Sequence, residues 1–148
     1  MKKFLLVIAS VCIISGLKAQ NPVTWTFTAK KIDSKTYEIN LTAIIDDEWH
    51  LYSQKTPDGG PSPTEILFAN NPLVKFDGEV KEIGDMEEHF EPLFGVKVRQ
   101  YSDKVSFVQV IKLKTAAKTN VSGTVNFMTC NDAQCMPTKK QAFSIKLN

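Results

Sequence analysis

Alternation with a period of two runs through most of this chain and leaves little room for any architecture other than packed sheets. "VTWTFTA" puts Val23, Trp25 and Phe27 on one face and threonines on the other, and "TYEINLTAII" does the same with Tyr37, Ile39, Leu41 and Ala43. "EWHLYS", "TEILFA", "VKVRQY", "KVSFVQVIKL", "GTVNFMTC" and "QAFSIKL" repeat the habit, most of them separated by turn-forming residues. No stretch of comparable length carries an apolar period of 3.6 residues. The pattern predicts an all-β chain folded as a single immunoglobulin-like β-sandwich, with a barrel as the other way of closing such strands. Neither an internal repeat nor a linker marks a second domain.

Two segments interrupt the alternation. Residues 56–64, "TPDGGPSPT", gather three prolines and two glycines, which supply turn geometry but few ladder donors, and read as a long turn. Residues 84–95, "GDMEEHFEPLFG", mix three glutamates with Phe90, Leu93 and Phe94 around Pro92 and read as a glycine-bounded loop whose apolar side chains have to cover something or be covered.

The N-terminus reads as an export signal. Lys2 and Lys3 precede an apolar run from Phe4 to Ile14 that is too short to span a bilayer, and small Ala19 follows. Cleavage after Ala19 removes residues 1–19 and leaves residues 20–148 as one domain. Val11, directly before Cys12, is too large for a lipoprotein signal, so no lipid anchor is read. Loss of Lys2, Lys3 and Lys18 takes 18 basic residues to 15 against 16 acidic ones. The remaining charge makes no case for nucleic acid or anionic lipid as partner. With no further apolar stretch of membrane length, the mature chain is expected to be a monomer that does not insert into the membrane.

Export also leaves two of the three cysteines, Cys130 and Cys135, in a compartment where disulfides persist. If "GTVNFMT" runs into Cys130 and "KKQAFSIKL" returns after Cys135, the connection Asn131 to Gln134 sets the cysteines opposite each other at the mouth of a hairpin, within bonding reach. A staple is one reading, although closing a six-residue ring removes only about 2 kcal/mol of denatured-state freedom. A reversible dithiol is another, because a locally closed bridge at an exposed loop is reachable by an incoming thiolate. Met128, Cys130, Cys135 and Met136 also form a soft sulfur set suited to Cu(I). Asp132 beside the pair disfavours a thiolate, so the pair reads as a receiver of attack, not an attacker.

The strand pattern, "CNDAQCMP", and more weakly "EPLFG" and "WHLYS", resemble the N-terminal periplasmic domain of the thiol:disulfide interchange protein DsbD. The resemblance implies an immunoglobulin-like domain, working without a bound cofactor or metal, that takes electrons from a thioredoxin-like donor domain and passes them to thioredoxin-like acceptors, the disulfide isomerases and related oxidoreductases of the periplasm. It implies that Cys130 and Cys135 cycle between disulfide and dithiol, with Cys135 forming the mixed disulfide. It further implies a cap loop in which Phe94, with Leu93 beside it and Glu91 as acidic neighbour, shields the bond, and supporting roles for His50 and Tyr52. Leu93 and Phe94 as ordinary core residues at a strand start, and an inert disulfide in a β-sandwich binding module, are the competing expectations. The chain carries neither the transmembrane segments nor the thioredoxin-like domain to which this family domain is usually fused, so its partners are expected to be separate proteins.

Overall fold

Nine strands and no helix make up residues 21–147, the part of the chain that the computed structural model describes; the expected leader, residues 1–19, lies outside it. The strands are β1 (Val23–Lys31), β2 (Thr36–Ile45), β3 (His50–Tyr52), β4 (Glu65–Phe68), β5 (Val74–Glu91), β6 (Val96–Leu113), β7 (Thr119–Phe127), β8 (Thr129–Cys130) and β9 (Lys139–Leu147). They form two sheets, one with the path β1-β2-β6-β3-β8 and β5 on the other edge of β6, the second with the order β4-β7-β9. All pairings are antiparallel, and the result is the expected immunoglobulin-like β-sandwich.

The alternation sorts residues as the sequence demands. Tyr37, Ile39, Leu41, Ala43 and Ile45 of β2 are buried, as are Val121, Val125 and Phe127 of β7 and Phe143, Ile145 and Leu147 of β9. Between the sheets Trp25 packs at 5.3 Å from Phe127 and 5.9 Å from Phe107, measured between ring centroids. Such a core removes from water the apolar surface that the strands could not hide alone.

The two expected strands "VKVRQY" and "KVSFVQVIKL" are one, the 18-residue β6, which changes partner midway. Its later half pairs with β2, from Lys104 opposite Ile44 to Lys112 opposite Thr36, and its earlier part pairs with β3, Tyr101 opposite Leu51 and Gln100 opposite Tyr52. At the change stands Asp103 with φ 59°, a conformation that short polar side chains tolerate better than most. The strand therefore continues through what reads as a break.

The expected loop at residues 84–95 is also corrected. β5 runs to Glu91 and only residues 92–95 turn, so "GDMEEHFE" is strand paired to β6. β5 is an edge strand with water on both faces for most of its length, so charge on both faces masks its period, and register shifts near Gly78 and Gly84 to Met86 break what is left.

Candidate functional site

Residues beyond the β7–β9 hairpin build the site. That hairpin pairs as far as Phe127 opposite Lys139 in the three-stranded sheet. The chain then crosses at Met128 to the other sheet, where Thr129 lies opposite Leu51 and Cys130 opposite His50. The cysteines do face each other across a bridge, as their spacing predicts, but on the edge of the second sheet, beside β3, and not at the mouth of the β7–β9 hairpin. Asn131 shapes the turn between them: its side-chain oxygen accepts from the amides of Ala133 and Gln134, and its own amide donates to the Gln134 carbonyl. The sulfurs of Cys130 and Cys135 are bonded, with 4.0 Å between the α-carbons.

The two sulfur-bearing residues differ in access. Cys130 is 0% exposed, packed with Tyr52 and Val98, whereas Cys135 is only partly buried. Val96 and Met128 complete the apolar wall around the bond. Met136 packs instead against the main core between the sheets, so the four sulfur atoms of the soft set do not share one cluster. Among the described residues no group of three or more His, Cys, Asp or Glu is placed to hold a metal ion.

Residues 56–64 do form the expected turn, and it has a purpose. Gly60 lies so close over β6 that a β-carbon there would stand 3.1 Å from a methyl of Val96 and 3.4 Å from one of Val98. Thr56 donates to the Arg99 carbonyl, Thr64 to the Tyr52 carbonyl, and Thr138 to Ser62 on the turn. The turn thus roofs the face of β6 on which the disulfide sits, burying Val98 and Gln100 on a side of the sheet that would otherwise be wet.

The tip of the β5–β6 hairpin, residues 92–95, stands at the same place. Gly95 takes φ 70°, which the turn requires, and its amide donates to the Glu91 carbonyl at 2.8 Å. Leu93 is 54% and Phe94 37% exposed, so neither is an ordinary core residue, and Phe94 lies two positions from Val96 in the wall. Glu91 is only 5% exposed, and Tyr52 donates to its carboxylate at 3.1 Å; the Leu93 amide donates to its other oxygen at 3.4 Å. Burial and the Glu91 charge both push the Tyr52 phenol far above its ordinary range. Tyr52 therefore joins the disulfide cluster to the hairpin tip, ring to one and hydroxyl to the other.

His50 is partly buried, and its Nδ1 lies 3.1 Å from Ser102 Oγ. On the opposite face of the same sheet Glu82 gathers the Ser53 hydroxyl, the Gln54 amide and side chain, and the Tyr101 hydroxyl, all between 2.6 and 3.2 Å. Burial alone raises the Glu82 carboxyl, but these donors outweigh it and hold it below its usual range. Glu82, Ser102 and Gly60 carry no signal in the linear sequence, because each acts on a segment far along the chain.

A family model described as "Thiol:disulfide interchange protein DsbD, N-terminal" matches residues 18–147. The chain belongs to this family. Among solved structures, the DsbD N-terminal family member resembles the N-terminal periplasmic domain of ScsB from Proteus mirabilis, with a TM-score of 0.55 and 17% identity over 84% of this chain and 44% of that one. The chain thus spans less than half of that ScsB structure. The reduced DsbD N-terminal domain of Neisseria meningitidis matches with a TM-score of 0.47 and 14% identity over 86% of each chain. The DsbD N-terminal domain in complex with the PilB N-terminal domain, from the same organism, gives 0.47 and 14% over 80% of each. No curated protein matches the chain. The chain thus belongs to a thiol:disulfide interchange family, and its Cys130 and Cys135 are joined in a disulfide.

Proposed function

We propose that this chain is an exported, periplasmic electron relay in which Cys130 and Cys135 alternate between disulfide and dithiol, exchanging with thioredoxin-like proteins. The observation that carries the reading is the asymmetry of the bond, with Cys130 wholly hidden and Cys135 only partly buried. A visiting thiolate can reach only Cys135, which becomes the member of the mixed disulfide until the visitor's second thiol releases it; when the dithiol passes its electrons on, Cys135 attacks the acceptor's disulfide and Cys130 resolves the product. Leu93 and Phe94 at the hairpin tip act as the lid that a matching partner displaces, and Tyr52 with Glu91 ties the lid to the site.

The test is covalent trapping. A Cys130→Ser variant mixed with a thioredoxin-like protein that lacks its own resolving cysteine and is activated as its thionitrobenzoate mixed disulfide is expected to release thionitrobenzoate and give a mixed disulfide through Cys135, while the Cys135→Ser variant gives none. Equal trapping by both variants, or by neither, overturns the assignment. Complete burial of Cys130 also favours an inert bridge in a binding module. Reduction potential separates the two: the relay equilibrates with thioredoxin-like proteins, and an inert bridge lies below about −300 mV.

A further inference from the structure

One lateral row crosses the disulfide face of the sheet. Ser102 on β6 lies beside His50 on β3, which lies opposite Cys130 on β8, and an isolated bridge carries the row on to Cys135. Ser102 Oγ, at 3.1 Å, occupies Nδ1 of His50, and leaves Nε2 as the ring nitrogen free to serve another group. When a thiolate attacks Cys135, the bonding pair of the broken S–S bond stays on the Cys130 sulfur. That sulfur sits among Tyr52, Val98, Val96 and Met128, where an unpaired negative charge is costly. Tyr52 is a poor source of a proton, since its hydroxyl is committed to Glu91.

We propose that His50 is the proton donor to Cys130 as the disulfide opens, a role that rests on the thiol-disulfide reading above. The step balances. The partner's thiolate forms a bond to Cys135 Sγ, the Cys130–Cys135 bond breaks, the electron pair goes to Cys130 Sγ, and the imidazolium proton follows it. The products are the mixed disulfide, the Cys130 thiol and neutral His50. The partner's second thiolate then displaces Cys135, so that a dithiol of the partner is oxidised as this disulfide is reduced. Glu48, in the turn before β3, and Asp132, in the turn after Cys130, line with His50 a cleft of about 490 Å³. From β6 the neutral Ser102 faces the ring, and β8 brings Cys130 itself.

The experiment compares reduction of the oxidised wild type and a His50→Gln variant by dithiothreitol from about pH 5.5 to about pH 8.5, a range that spans histidine titration. Taking the ratio of the two rates cancels the thiolate fraction of the reagent. The wild type is expected to be about tenfold faster at the acid end, below the roughly 10²–10⁴-fold of a fully enclosed general acid, with the advantage gone at the alkaline end. A ratio that does not change with pH overturns the inference and leaves the relay intact. A wild-type disulfide that resists dithiothreitol at every pH overturns the relay itself. Should His50→Gln fail to fold, Ser102→Ala, which frees the ring without removing it, is expected to lose part of the same acid-side advantage, and a flat ratio there refutes the role equally.

Discussion

Replacing Phe94 with alanine tests whether the hairpin tip governs access to the disulfide. Phe94 is 37% exposed, so most of its surface is withdrawn from water. A phenylalanine presents about 150–250 Å², of which about 100–150 Å² is hidden here, worth an upper bound of about 3 kcal/mol at about 25 cal/mol per Å². Part of that shelter travels with the tip, because Pro92 and Val96 are its neighbours in the chain. Taking about half as the share lost on opening leaves about 1.5 kcal/mol, or about a tenfold change in the open population.

The assay is reduction of the oxidised protein by excess glutathione, followed by alkylating the thiols at timed intervals and weighing the products. Where opening is fast relative to attack, the rate follows the open population. Phe94→Ala is expected to be reduced about tenfold faster with its melting temperature nearly unchanged, and Leu93→Ala, already 54% exposed, less so. A thioredoxin-like partner that displaces the lid itself should respond less than glutathione does. Identical glutathione rates in wild type and Phe94→Ala would refute the lid. A large fall in melting temperature would instead reassign Phe94 to the fold.

Glu82 makes stability depend on acid. Its folded pKa is depressed, so its contribution is present above the unfolded value near 4.3 and is lost as pH falls through the folded one. Urea midpoints from about pH 6 to about pH 2.5 should therefore fall more steeply in the wild type than in Glu82→Gln, and parallel curves would rule the network out. At the other end, Tyr52 and Tyr101 have raised phenol pKa values, from burial first and then Glu91 and Glu82 respectively. The unfolded chain ionises them from about pH 10 while the folded one does not, so stability should drop above that pH, less so in Tyr52→Phe; ultraviolet titration showing both phenols ionising normally contradicts this. Gly123→Ala should lose roughly 3 kcal/mol or more by urea unfolding, since a β-carbon there would run into the Leu67 carbonyl and stand 2.8 Å from the Phe143 ring. A loss under about 1 kcal/mol would mean that β4 can shift away.

Legibility follows how each part of the molecule meets water. β2, β7 and β9 each bury one face against the other sheet, so their alternation survives in the sequence and names the core. β5 does not, because Lys81, Ile83, Asp85 and Glu87 meet water on a strand whose opposite face is largely wet too. The opposed cysteines were readable from a four-residue connection. Their neighbours were not, since the crossing at Met128 moves Cys130 to a strand begun 80 residues earlier, beside His50. "EPLFG" and "WHLYS" stand out only through a family resemblance. Nothing in the spelling of Gly60 or Ser102 says that one roofs Val98 and the other holds an imidazole.

The proposed relay requires a bond that can be broken in every cycle without loss of the fold. Closing the ring between Cys130 and Cys135 restrains a short segment, and its loss frees about 2 kcal/mol of denatured-state entropy at most. Thr129 and Cys130 are also paired with Leu51 and His50, and the Met136 amide donates to the Thr129 carbonyl at 2.8 Å, contacts that do not use the S–S bond. Reduction should therefore lower the stability to urea by about 2 kcal/mol or less, with the slope against urea nearly unchanged because little extra surface is released. Unfolding curves of the oxidised protein and of the same protein kept in a phosphine reductant give the comparison directly. A deficit above about 4 kcal/mol, typical of a native staple in a small secreted domain, would place the bridge among the supports of the sandwich and deprive the relay of its physical basis.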